Sequence, residues 1–156
     1  MKDKKKFMAK AIELSIISSN TIGGPFGSVV VKDNKIVSEG SNQVTSSNDP
    51  TAHAEVVAIR EACRKLNTFD LSECEIYTSC EPCPMCLSAI YWARIEKIYY
   101  ANTREDAKNI DFDDSFIYSE IPKKIDDRKI KMTQMLREDA LKAFEIWDKK
   151  IDKIKY

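Results

Sequence analysis

Ser79-Cys80-Glu81-Pro82-Cys83-Pro84-Met85-Cys86 places three of the chain's five cysteines within one short stretch, with two prolines among them. A thiol cluster that dense is costly to keep reduced unless something binds it. The chain's one histidine lies upstream, in Thr51-Ala52-His53-Ala54-Glu55. The two prolines are compatible with a helix only in its first turn, where no backbone N–H is needed. The spacing therefore predicts a helix opened by Pro82 and Pro84 and running to about residue 93, with Cys83 and Cys86 on one face of its start. A helix N-terminus carries free N–H groups and partial positive charge, which favours thiolate over thiol.

Working outward, residues 74 to 78 alternate as a strand before this helix, and residues 97 to 100 form a strand after it. Upstream, Val56, Ile59, Cys63 and Leu66 recur three or four apart, predicting a helix over about 52 to 66 with His53 in its first turn. Residues 4 to 18 read as an amphipathic helix ended by Ser18-Ser19-Asn20 and Gly23-Gly24-Pro25. Gly27 to Val31 and Ile36 to Glu39 read as a hairpin turning at Asp33-Asn34. Residues 40 to 50 and 111 to 124 read as loops, and 105 to 108 as a short helix. Ile130 to Leu136 reads as a last strand, and residues 138 to 155 as a final helix with Leu141, Phe144, Trp147, Ile151 and Ile154 on one face. Strands separated by helices imply parallel pairs with helices on both faces. The expectation is one α/β domain over residues 1–156, a three-layer α/β/α sandwich around a mixed five-stranded sheet.

At 156 residues, with 43% apolar and 32% charged residues, the composition suits a globular protein. No apolar run approaches the roughly 20 residues a bilayer-spanning helix needs, and Lys2 to Lys6 has no apolar run behind it, so neither a membrane segment nor a secretion signal is expected. Bunched cysteines in odd number disfavour a secreted disulfide framework, and the expected location is cytoplasmic. Net charge is zero; no basic face is evident for phosphate neutralisation, so a nucleic-acid partner is not expected and a small molecule is.

His53, Cys83 and Cys86 offer two thiolates and an imidazole, which neutralise Zn2+ and leave one tetrahedral position open, the pattern of a catalytic site. Glu55 decides what that position would do. On an ideal helix it lies about 200° from His53, with the apolar stripe between them. A carboxylate beside zinc-activated water takes its proton and delivers it elsewhere; the bland alternative is a first-turn Glu complementing the helix dipole. Cys80 leaves two other readings open. C-x-x-C-x-x-C is the opening of a ferredoxin-type run, although the next position in that spacing is Ile90. Cys80 could also close a four-ligand structural zinc site with the other three.

His-x-Glu followed by Pro-Cys-x-x-Cys is the signature of zinc-dependent base deaminases. The chain resembles the cytidine-deaminase-like superfamily, and more narrowly the small bacterial guanine deaminases. The resemblance runs through Gly23-Gly24-Pro25-Phe26-Gly27, Ser47 to Glu55, Tyr77 to Cys86, Ala89 to Arg94 and Phe112 to Tyr118. Ser88 departs from the family, which more often has Gly there. The resemblance implies zinc on His53, Cys83 and Cys86, and Glu55 as proton shuttle. It implies attack at C2 of guanine, a purine base, with xanthine and ammonia as products, and substrate contacts from Asn42, Asp114, Phe26, Trp92 and Tyr156. It further implies a domain-swapped homodimer in which the C-terminal helix crosses to the partner. Read by themselves, Asn42 is equally a turn residue, Asp114 a loop or cap residue, Phe26 and Trp92 core aromatics, and Tyr156 a frayed end. Deaminases of tRNA adenosine, of cytosine or of nucleosides share the zinc motif and remain alternatives at this point, as does a non-catalytic metal protein.

Overall fold

Four runs rich in β-branched and aromatic residues become strands: β1 (Gly27–Lys32), β2 (Lys35–Ser41), β3 (Cys74–Cys80) and β4 (Lys97–Asn102). The computed structural model describes residues 2–21 and 23–156. The strands form one sheet in the order β2-β1-β3-β4. β1 and β2 make the expected hairpin, and Asp33 and Asn34 turn it with φ of 50° and 57°. That left-handed pair is what a two-residue hairpin turn demands, and short polar side chains tolerate it.

The helices of the same unit are α1 (Lys2–Ser19), α2 (Val44–Ser47), α3 (Ala54–Leu66), α4 (Pro84–Trp92) and α5 (Arg104–Lys108). Both faces of the sheet are covered. Val29, Val31 and Tyr77 pack with Phe7 and Ala11 of α1, while Val30 and Ile76 pack with Ala58 and Ala62 of α3 and Ile90 of α4. This alternation is the period of two expected of a sheet buried on both sides. Each large apolar side chain so buried contributes about 1.5–3 kcal/mol. Two glycines let the helices sit close. A Cβ at Gly27 would stand 2.3 Å from the Ala11 carbonyl of α1, and one at Gly40 would stand 2.2 Å from the Ala54 carbonyl of α3.

The sheet corrects the expectation in two ways. It has four strands rather than five: residues 131–136 form no strand and Ile130, Met132 and Met135 are exposed. A segment with a strand's pattern is not a strand without a ladder to join. Secondly, β1 and β3 pair antiparallel, and only β3 and β4 pair parallel. The crossover through α3 does join parallel strands, β2 and β3, but the hairpin's β1 lies between them. Smaller differences are local. α3 begins at Ala54 and α4 at Pro84, leaving Pro82 outside; the 40–50 loop contains α2.

Residues up to Asp114 form one compact unit and Ser115–Tyr156 a second. The second holds α6 (Ser115–Glu120), within a stretch expected to be loop, a 3-10 turn at Ile125–Asp127, and α7 (Arg137–Lys149), which ends short of residue 155. None of its residues is buried. Among the described residues no helix is long and apolar enough to cross a membrane.

Candidate active site

Two helix starts build the site. His53 is the N-cap of α3 and Cys83 the N-cap of α4, both in extended conformation (φ/ψ −68°/154° and −64°/167°). His53 therefore stands just outside its helix rather than in the first turn. Pro84 follows Cys83 in the first turn of α4, where its missing N–H costs nothing. The His53 side chain makes no capping bond to its own helix, Cys83 Sγ engages Cys86 in the first turn of α4, and the two cap side chains converge. His53 Nδ1 lies 3.5 Å from Cys83 Sγ and 3.5 Å from Cys86 Sγ. The three ligand atoms all lie within 4.8 Å of one another. Tetrahedral zinc at its usual bond lengths to sulfur and imidazole nitrogen sets those atoms about 3.5 Å apart. The donor set and its spacing fit zinc.

Glu55, in the first turn of α3, is 6% exposed, and Cys86 Sγ donates to its Oε2 at 3.5 Å. Glu55 is thus in the first turn but is not the exposed carboxylate of the helix-dipole alternative. Burial holds its carboxyl above the usual carboxylate range. Hydrogen bonding from the Cys86 thiol holds Cys83 below the usual thiol range, with His53 adding to the effect, while Cys86 is pushed up. His53 is raised by its bond to Cys83. Cys80 turns elsewhere: its Sγ donates to the Thr103 carbonyl at 3.6 Å, and burial pushes the thiol up to about 11. Among the described residues the metal-ligating group is His53, Cys83 and Cys86, which favours an open three-ligand site over a four-ligand clasp.

Asn42, just past β2, is 9% exposed. Its Oδ1 accepts from Val44 N at 3.2 Å and Gly24 N at 3.4 Å, and its backbone N donates to the Phe26 carbonyl at 3.1 Å. With the amide oxygen so engaged, the end of the side chain that remains for a ligand is its donor. Phe26 meets Phe112 edge-on, with ring centroids 5.0 Å apart. Asp114 is half-buried, and its carboxyl is raised by burial and by the charge of nearby Cys83. Trp92 is 69% exposed at the end of α4, so it is not a core aromatic. Tyr156 belongs to the second unit and is 72% exposed. Phe112 and the Gly23-Gly24 shelf beneath Asn42 were not singled out from sequence as working parts. The paired glycines before Pro25 carried the signal, but they read equally as a helix stop.

Residues 1–102 match the family model described as the cytidine and deoxycytidylate deaminase zinc-binding region. The chain belongs to this deaminase family. Within it, the chain is 51% identical over 151 residues to a guanine deaminase of Bacillus subtilis, spanning 96% of this chain and 97% of that protein. The solved structure of guanine deaminase from that organism superposes with a TM-score of 0.94 at 50% identity, covering 97% of this chain and 98% of the other. A solved Nitrosomonas europaea guanine deaminase superposes with a TM-score of 0.66 at 33% identity over 69% of this chain and 63% of that one. A tRNA-specific adenosine deaminase of Aquifex aeolicus is 49% identical, over 77 residues that are 49% of this chain and 51% of that protein. Similarity to the tRNA enzyme thus covers half of each chain, whereas similarity to the Bacillus deaminase runs nearly end to end. The matched family region is zinc-binding, the His/Cys/Cys set fits that ion, and the protein is a hydrolase.

Proposed function

We infer that this chain is a zinc-dependent deaminase that hydrolyses guanine to xanthine and ammonia. The observation that carries the reading is the near full-length similarity to a guanine deaminase, on a chain whose own His53, Cys83 and Cys86 meet beside a buried Glu55. Zinc, when bound, supplies the Lewis acidity that makes water a nucleophile at neutral pH. His53, Cys83 and Cys86 would hold it. Glu55 accepts one proton from the attacking water and gives it to N3 of the ring; it then takes the second proton from the oxygen now bonded to C2 and gives it to the amine, which leaves as ammonia while the C2 carbonyl forms. A carboxyl kept above its usual range by burial is suited to both taking and giving. Asn42 presents a fixed donor to the purine edge, Asp114 accepts from ring and amine N–H groups, and Phe26 lies against the plane of the base. Trp92 is proposed as a further aromatic contact. Ammonia release from guanine, guanosine, adenine, cytosine and a tRNA anticodon stem tests the assignment. Guanine is expected to be turned over far faster than the rest; preference for any other member of the panel overturns it.

The whole chain, residues 1–156, is proposed to act as one deaminase domain whose C-terminal helix exchanges with a second copy, bringing Tyr156 of the partner subunit to the site. Phe144, Ile151 and Ile154 are 74%, 102% and 66% exposed, and a unit with no buried residue cannot stabilise itself. Light scattering is expected to give twice the chain mass; a monomer that retains full activity refutes the exchange. A cytoplasmic location is proposed because unoccupied thiols of this set survive in a reducing compartment.

A further inference from the structure

Ser18 lies in the last turn of α1 and is 4% exposed, and no step above uses it. Its hydroxyl donates to the Gly24 carbonyl at 2.7 Å, across six residues. The same carbonyl accepts from Phe26 N at 2.8 Å, and Gly24 N donates to Asn42 Oδ1. Space is as tight as the bonding. A Cβ on Gly23 would stand 2.2 Å from Ser18 Oγ and 2.7 Å from the Asn42 carbonyl. A Cβ on Gly24 would press on the Asn42 carboxamide, 3.3 Å from Cγ, 3.4 Å from Oδ1 and 3.5 Å from Nδ2. Neither glycine has a positive φ, so backbone conformation is not what requires them here. Closeness excludes a side chain at Gly23, and at Gly24 a methyl would sit slightly inside ordinary contact with the Asn42 carboxamide. The two glycines form a side-chain-free shelf between the hydroxyl of Ser18 and the flat of the Asn42 amide.

We propose that Ser18 is a positioning residue for substrate recognition: by holding the Gly24 carbonyl, it fixes the place of Gly24, whose own N–H, on the preceding peptide unit, anchors Asn42 Oδ1, and so aims the amide's donor end at the base. The proposal rests on the reading of Asn42 as a substrate contact. The physical link is short. An amide can rotate by 180° about its last bond and exchange donor for acceptor. Two backbone N–H groups on Oδ1 oppose that flip, and the Gly24 N–H is the long one at 3.4 Å. It is therefore the bond most sensitive to where Gly24 sits. Loss of the Ser18 hydroxyl leaves that carbonyl with its Phe26 partner, so the loop persists while its position relaxes.

A double-mutant cycle on the zinc-loaded protein tests this, with guanine as substrate and ammonia as readout. Ser18→Ala is expected to raise KM about tenfold with a smaller change in kcat, the scale of one hydrogen bond. In an Asn42→Ala background the same change is expected to have no further effect on kcat/KM, because the group it aims is gone. Gly24→Ala is expected to behave likewise, harmful with Asn42 present and silent without it, and serves as the second route if Ser18→Ala folds poorly. Multiplicative losses in the two cycles, or a silent Ser18→Ala in the parent, overturn the positioning role while leaving Asn42 as a contact. A silent Asn42→Ala instead overturns the substrate reading, and the positioning role falls with it.

Discussion

Gly40→Ala is the sharpest test of how the fold places the chemistry. Gly40 lies in β2 opposite Ser28 of β1, and the helix bearing Glu55 crosses directly over it. The added Cβ would stand 2.2 Å from the Ala54 carbonyl oxygen, 2.7 Å from Ala58 N and 3.1 Å from Ala58 Cβ. Two of those three are backbone atoms of α3, so no side-chain rotation relieves the clash. Carbon and carbonyl oxygen settle at about 3.3 Å or more, so the start of α3 must move by about 1 Å. Overpacking of this kind costs about 1–3 kcal/mol, which lowers Tm by about 3–10 °C for a chain of this length. Ala54 lies between His53 and Glu55, so the displacement passes to the proposed zinc ligand and the proposed proton shuttle together. A 1 Å misplacement of reacting groups is worth about a hundredfold in rate. Differential scanning fluorimetry, zinc per chain and steady-state ammonia release read the three consequences. A variant with Tm within about 1 °C of the parent and unchanged kcat would refute the claim that β2 and α3 are in bare backbone contact.

Other outcomes follow from the site itself. Glu55→Gln preserves volume and removes none of the three metal-ligating side chains, so zinc stoichiometry is expected to stay at the parent's level while kcat falls by at least about 10²-fold, the share of a lost acid–base group; retained turnover excludes Glu55 as shuttle. Cys80→Ser is expected to keep full zinc, since that thiol bonds the Thr103 carbonyl; metal loss on dialysis would mean a fourth ligand. Asp70 is held below the ordinary carboxylate range by the Ser72 N–H, with Arg94 adding to it. A depressed folded value contributes stability above the unfolded value of about 4 and loses it as pH falls through the depressed one. The Tm gap between parent and Asp70→Asn is therefore expected at pH 7 and should close as pH drops below about 4; a gap constant with pH excludes the ionised carboxylate as its source.

What the residues disclosed depended on whether the deciding force was local. Asp33-Asn34 announces a hairpin because left-handed backbone is a property of the turn residues themselves. His53, Cys83 and Cys86 were legible because metal chemistry limits donor type and spacing. The antiparallel pairing of β1 with β3 was not legible, since it depends on which side of β1 the crossover through α3 lands, a choice that no residue in β1 records. Residues 130 to 136 carry a strand's alternation, but the ladder that would make them a strand lies outside their own sequence. Ser18 looked like a helix stop because its working partner, the Gly24 carbonyl, is a backbone atom and leaves no mark in side-chain pattern.

His53 and Cys83 stand at the N-caps of α3 and α4. A metal drawing on both residues would cross-link two helix starts that are remote in sequence. Metal binding and folding are then linked. Every tenfold rise in free zinc above its dissociation constant is expected to add about 1.4 kcal/mol to the unfolding free energy. The melting temperature of this protein then reports the zinc activity of its surroundings as much as the strength of its core.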